Sequence, residues 1–291
     1  MKRLGIIGSE NSHTAAIAKE LNIELSFPEF RVTHVWGETE EFARKAAAAG
    51  QIPNIVASPE EMLGKVDAIM CDHRDGKYHV AAVTPFVKAG VPVFVDKPIS
   101  TSLAEAKRFL RLRRRKKVPV TTMSSVPHQA CIAGIRQGLQ ATGTLRCLHL
   151  SGPGDPKSPY GGIFFYGIHQ VDLMVELLGT EAQWVSAHLN GSAFSAIVAY
   201  PGDVMATVSM PGGGVKPFAV SAVGSAGLFQ QAVVTDANMY RTTTGIFTRM
   251  FETGVEPFED RRMLAPIAVL EAMRLSVETG RPKKVASLTN E

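Results

Sequence analysis

Val91-Pro92-Val93-Phe94-Val95-Asp96-Lys97-Pro98 is a short apolar, β-branched run that ends in two charges and a proline. Its length and composition predict a strand buried on both faces of a parallel sheet. The two charges then fall at the strand's carboxyl end, where open α/β sheets bind ligands. Working outward from this run, the first 122 residues alternate strand and helix signals. Residues 4–7, 31–36, 54–57, 68–71, 93–95 and 118–122 read as strands. Between them, 14–21, 40–49, 78–89 and a basic segment from Ser102 carry helical patterns, and Gly90 suits the residue just beyond a helix end. The alternation predicts βαβ units and a parallel sheet with helices on both faces.

After Thr122 the pattern changes. Residues 129–139 and 167–178 read as helices, with a strand at 145–150 between them. From 183 to 234 the chain reads as successive strands. They are broken by Tyr200-Pro201-Gly202-Asp203, Met210-Pro211-Gly212-Gly213-Gly214 and Gly224-Ser225-Ala226-Gly227. Such breaks predict hairpins, hence an antiparallel meander. A helix is expected near 266–279, and 239–257 reads as loop. The domain boundary is expected near Met123.

Of the 291 residues, 45% are hydrophobic and 20% charged, the composition of an ordinary soluble globular protein. The net charge is +4. Residues 107–117 hold eight of the basic side chains, at the end of a predicted helix. Cations there complement the helix dipole, so a solvated helix end is favoured over a nucleic-acid surface, which would interleave aromatics. Cys71, Cys131 and Cys147 are widely spaced, which gives no disulfide scaffold and no zinc site, and no metal is expected. The N-terminus lacks the apolar region of a signal peptide and no stretch is long enough to span a bilayer. A cytoplasmic protein without a membrane partner is expected.

Four motifs carry chemistry. Gly5-Ile6-Ile7-Gly8-Ser9-Glu10-Asn11-Ser12-His13 follows the first strand. Gly8 supplies the tight turn of a dinucleotide loop, while Glu10 and His13 stand where its second and third glycines would be. Ser9, Asn11 and Ser12 can donate hydrogen bonds, and the helix N-terminus attracts anions. The second strand ends at Trp36-Gly37-Glu38, where a carboxylate can accept from a ribose diol; no arginine follows to mark a 2′-phosphate pocket. The fourth strand ends at Cys71-Asp72-His73-Arg74-Asp75, placing His73 and Arg74 within reach of a substrate or cofactor. Finally, Tyr160 to Met174 holds Phe165, His169 and Asp172 on one helical face. His169 can exchange a proton near neutral pH and Asp172 can orient its ring. Tyr160, Tyr166, Arg74 and His128 complete the candidate pocket residues.

Asp96-Lys97-Pro98 and Gly167-Ile168-His169-Gln170-Val171-Asp172, in this order, resemble the Glu-Lys-Pro and Gly-x-His-x-x-Asp motifs of the Gfo/Idh/MocA (glucose–fructose oxidoreductase / inositol dehydrogenase) family. The resemblance implies an α/β fold: an N-terminal Rossmann parallel sheet over 1–122, then an α+β domain with an open antiparallel sheet over 123–291. It implies NAD or NADP as cofactor, bound by Gly8, Ser9, Asn11, Ser12, Glu38, Asp96 and Pro98. It implies a sugar, polyol or related small-molecule substrate, with Lys97 and His169 at the reacting oxygen and Arg74, Tyr160, Tyr166 and Asp172 nearby. A homo-dimer or homo-tetramer through the C-terminal sheet is implied, with no nucleic acid. Two departures are visible: the glycine loop is degraded, and Phe165 stands where many members carry an aspartate one turn before the histidine. They leave two alternatives: a binding or sensor protein that has lost catalysis, and an NAD-using lyase or glycosidase without net redox.

Overall fold

The computed structural model describes residues 1–212 and 218–289. The chain forms two compact units. The first comprises Met1–Ser100, Ala104–Met123 and Asn238–Glu259, and the second Thr101–Leu103, Ser124–Ala237 and the chain from Asp260.

The first unit is built on six strands: β1 (Lys2–Ile7), β2 (Phe30–Trp36), β3 (Asn54–Ile55), β4 (Ala68–Cys71), β5 (Val93–Asp96) and β6 (Val120–Met123). All pair in parallel, in the spatial order β3-β2-β1-β4-β5-β6. β4, β5 and β6 are buried along their whole length, which explains their unbroken apolar character. Four helices connect the strands: α1 (Ser12–Asn22), α2 (Glu40–Gly50), α3 (His79–Lys88) and α4 (Leu103–Lys116). α1 begins at Asn11, whose side chain accepts from the His13 N–H, and it buries Thr14, Ile17, Ala18 and Leu21. The strand order reverses between β1 and β4, so the loops leaving their carboxyl ends part and open a crevice.

The basic run on α4 is divided. Arg113 is buried and ion-paired to Glu256, while Arg108, Arg111, Arg114 and Arg115 line a surface recess.

The stretch expected as loop at 239–257 is instead helix α7 (Arg241–Thr253). Its local signal is weak because Thr242, Thr243, Thr244 and Gly245 are poor helix formers. Tertiary packing decides it. Phe247, Met250 and Phe251 enter the core of the first unit, and Phe247 stacks on Phe94 with ring centroids 4.5 Å apart. Burying each such ring stabilises by about 1.5–3 kcal/mol, more than the propensity deficit.

The second unit carries a seven-stranded sheet of β7 (Leu145–Ser151), β8 (Trp184–Asn190), β9 (Ala193–Tyr200), β10 (Val204–Met210), β11 (Ala219–Gly224), β12 (Gly227–Ala232) and β13 (Lys283–Lys284). The spatial order is β12-β11-β7-β10-β9-β8-β13. The sheet is mixed and mostly antiparallel rather than a simple meander: β7 inserts between β10 and β11 and pairs with β10 in parallel. The turn expected at Met210-Pro211-Gly212-Gly213-Gly214 falls partly on 213–217, outside the described residues.

Three helices accompany this sheet: α5 (Ile132–Ala141), α6 (Ile163–Leu178) and α8 (Asp260–Thr279). Two start earlier than their sequence signals. Gly167 does not open α6; it lies inside, and a Cβ there would meet Met210 Cε at 2.5 Å, so this glycine permits close packing. Pro266 likewise lies within α8, one turn and a half past its start. A proline reads as a boundary because it lacks an N–H. No described helix is long and apolar enough to cross a membrane.

Candidate functional site

In the first unit the charged residues gather at the carboxyl ends of β1, β2, β4 and β5. Gly8 has φ +94°, and a Cβ there would lie 2.6 Å from the His73 backbone nitrogen, so only glycine fits the turn. The amides of Ser9 and Glu10 point at one acceptor. Glu38 Oε2 takes both, at 2.9 and 3.0 Å, and Oε1 lies 2.9 Å from His73 Nδ1. Burial opposes the charge on Glu38, but the bonds from His73 and the Ser9 and Glu10 amides outweigh it and lower its pKa to about 2. The loop therefore already binds an anion. Glu10, standing where the loop's second glycine would be, is turned to Arg74, whose Nη1 lies 3.3 Å away.

A second cluster lies behind it. Asn11 Nδ2 donates to Asp72 at 3.2 Å and to Asp96 at 3.3 Å, and Thr14 donates to Asp72 at 2.5 Å. His13 Nδ1 lies 3.0 Å from Asp96 Oδ2, and Lys97 Nζ 3.6 Å from the same oxygen. Burial and the neighbouring Asp96 charge push the Asp72 carboxyl well up. Burial also opposes ionisation of Asp96, but His13 and Lys97 prevail and hold its pKa well down. His13, Asp72 and Asp96 offer ligand atoms within 4.8 Å of one another, a spacing compatible with a metal ion. The protein's own donors Asn11, Thr14 and Lys97 meet those same carboxylates.

Lys97 is 6% exposed, so its ammonium is held rather than solvated. The Lys97–Pro98 peptide is cis. The buried His79 ring spans two loops, with Nδ1 2.6 Å from Pro98 O and Nε2 2.9 Å from His73 O. Tyr240, just before α7, lies against His13 with ring centroids 4.8 Å apart.

In the second unit the centre is His169 on α6, 7% exposed. Its Nδ1 lies 2.7 Å from Ser124 Oγ. Asp172, one turn on, does not reach the ring's Nδ1 position; its Oδ2 accepts from the Ser124 N–H at 2.9 Å and its Oδ1 pairs with Arg262. Arg262 also pairs with Glu176 at 3.1 Å. Aromatic rings wall the site: Tyr166 and Phe218 each have centroids 5.7 Å from His169. Phe165 packs on Tyr160 and Tyr166, at 5.1 and 4.8 Å. Burial pushes the His128 imidazole down against the pull of Asp172 and Glu176.

The first unit thus brings together Gly8, Ser9, Asn11, Glu38, Arg74 and Asp96, while Ser12 is exposed at the start of α1. The second brings together Tyr160, Phe165, Tyr166, His169 and Asp172. Sequence reasoning missed Ser124, Arg262 and Tyr240. Ser124 had a usable signal, since it directly follows β6 and so sits at another parallel strand's carboxyl end. Arg262 and Tyr240 had none.

The strand ends suit a dinucleotide on two counts. Glu38, whose pKa is lowered to about 2, is a carboxylate held at the end of β2, and a carboxylate can accept from hydroxyls. The Ser9 hydroxyl is buried without a hydrogen-bond partner and lies against Gly37, where a bound group can satisfy it.

Comparison with known proteins agrees. Residues 2–124 match GFO_IDH_MocA, described as "Oxidoreductase family, NAD-binding Rossmann fold". The uncharacterized oxidoreductase YhhX of Escherichia coli (strain K12) is 24% identical over 162 residues, 50% of this chain and 46% of that protein. The match therefore spans about half the length of this curated relative. A probable dehydrogenase from Thermotoga maritima superposes with TM-score 0.81 at 16% identity, covering 97% of this chain and 98% of that one. Scyllo-inositol dehydrogenase from Lactobacillus casei, with bound NAD(H) and scyllo-inositol, gives TM-score 0.83 at 13% identity, covering 99% and 100%. At these identities the structural likeness establishes the fold.

Proposed function

We propose that this chain, a divergent member of the Gfo/Idh/MocA family through the domain at residues 2–124, is an NAD-dependent oxidoreductase acting on a polyol, sugar or related hydroxy or carbonyl compound. The observation that carries the reading is the ionised Glu38 at the end of β2, fixed by two loop amides and His73. A carboxylate so held accepts from a ribose diol and repels a 2′-phosphate. Arg74, on the loop after β4, is paired with Glu10. This favours NAD over NADP.

In this reading Gly8, Ser9, Asn11 and Ser12 hold the diphosphate side, and Asp96 and Pro98 border the nicotinamide. The bound dinucleotide supplies the hydride acceptor or donor. Lys97 donates a hydrogen bond to the reacting oxygen, its ammonium kept in place by Asp96. His169 exchanges the proton. Tyr160, Tyr166 and Arg74 are assigned to the substrate, whereas Asp172, buried and engaged by Ser124 and Arg262, supports the site from behind. The scyllo-inositol held by the Lactobacillus casei protein supports a polyol as substrate class.

Calorimetry with NAD(H) and NADP(H) tests the reading. Binding of NAD(H) at least tenfold tighter than NADP(H) is expected. Absence of binding by either at millimolar concentration contradicts it. With a polyol panel and absorbance of the reduced cofactor, Lys97→Ala and His169→Asn are expected to lose turnover.

An assembly of two or four copies through the second sheet is part of the same reading. Trp184, Leu189, Ile197, Val223 and Leu228 of that sheet are exposed apolar side chains. Sedimentation at micromolar concentration is expected to give a dimer or tetramer, and a monomer opposes it.

A further inference from the structure

One turn before His169 stands Phe165, not a carboxylate. What its Nδ1 meets is the Ser124 hydroxyl, 2.7 Å away. A hydroxyl has one proton and two acceptor lone pairs. One lone pair of Ser124 Oγ accepts the Val126 N–H at 3.1 Å. Ser124 is fully buried, so its proton must find an acceptor inside the protein. Among the described residues the acceptor within hydrogen-bond reach is His169 Nδ1.

We infer that Ser124 is a positioning residue that fixes the tautomer of His169: its hydroxyl donates to Nδ1, so the neutral ring carries its proton on Nε2. The inference rests on His169 being the proton-transfer group of the proposed function. A carboxylate partner acts in the opposite sense. It can only accept, so it draws the proton to Nδ1 and leaves the Nε2 lone pair ready as a base. Ser124 keeps Nε2 as a donor toward an oxygen. The ring becomes a base at Nε2 only after the hydroxyl turns to accept from Nδ1–H, which leaves the buried Ser124 proton without its acceptor.

The backbone of Ser124 is fixed from the same helix. Asp172 accepts its N–H, and Arg262 holds Asp172. Two residues three apart on α6 therefore hold Ser124 at its amide and at its hydroxyl. Tyr166 and Phe218 present rings to the imidazole.

The test is a long-range proton–nitrogen correlation spectrum of uniformly nitrogen-15-labelled protein, above the pH of imidazole titration. His169 is assigned by the signals lost in His169→Gln. A single tautomer is expected, with Nε2 protonated and Nδ1 bare. In Ser124→Ala both nitrogens are expected to move toward the averaged position of exchanging tautomers, and Ser124→Thr to restore the separation. A wild-type ring protonated at Nδ1, or already averaged, overturns the inference, as does an unchanged spectrum in Ser124→Ala. The wild-type spectrum decides even if a variant fails to fold. It needs neither cofactor nor substrate, so failure to bind NAD defeats the proposed function and leaves this result standing.

Discussion

The two charged centres of this protein are held by opposite means. At the strand ends of the first unit, acidic groups from four separate loops converge, and backbone amides, a positive-φ glycine and short side chains fix them. Around His169 the ionisable groups are spaced along one helix at i, i+3 and i+7, and a partner from the distant α8, Arg262, pairs with the two carboxylates. The first arrangement spreads one negative charge over amide donors. The second confines charge behind the ring and leaves the imidazole facing aromatic walls. In the proposed function the loops form the binding surface and the helix carries the proton-transfer group.

That contrast can be broken experimentally, beginning with the core that supports it. Phe247→Ala removes a fully buried ring stacked on Phe94 and is expected to cost about 3–5 kcal/mol. Urea denaturation measures the loss, and residue-resolved hydrogen exchange is expected to place it in the first unit. A neutral result would return the 239–257 stretch to the status of a loop. Next, Arg262→Met strands the buried Asp172 carboxylate and is expected to cost about 3 kcal/mol, while NAD(H) affinity stays unchanged. Loss of affinity would show that the two centres do not divide the work as described.

Gly8→Ala should cost about 1–3 kcal/mol, from the overlap with the His73 backbone. NAD(H) binding is expected to disappear with it. Retained binding would show that the loop is not the anchoring surface.

Glu38→Gln is the smallest change and the most informative about charge. Its folded pKa, about 2, lies below the ordinary 4.5. The ionised form therefore contributes stability that is fully present above about pH 4.5 and is lost as pH falls toward 2. For a partly buried carboxylate, solvent screening reduces this to roughly 1–2 kcal/mol. The difference in urea midpoint between wild type and Glu38→Gln should be largest near pH 7 and shrink across that window. A difference that grows on acidification would contradict the assignment.

Much of the first centre is legible in the amino-acid sequence. The short buried strands announced themselves as apolar runs, and because parallel sheets bind at their carboxyl ends, Gly8, Glu38, Arg74 and Asp96 could be picked by position alone. What those residues do to one another was not legible. Nothing in the order Trp36-Gly37-Glu38 says that the carboxylate turns back onto the Ser9 and Glu10 amides, because that depends on β1 and β2 lying side by side. The second centre was legible only along its helix. Periodicity placed His169 and Asp172 on one face, but it implied that Asp172 would orient the ring, whereas Ser124 holds Nδ1 and is separated by 45 positions in the chain.

Hydrophobic pattern by itself determined the parallel first sheet, the change to antiparallel pairing and the strand ends where polar residues would be exposed, because each follows from burial period and local turn chemistry. Tertiary structure alone decided the α7 helix, the insertion of β7 beside β10 and the partners of Glu38 and His169. These depend on contacts between distant segments, and a Thr-rich helix or a serine at a strand end carries no local signal of the group it will meet.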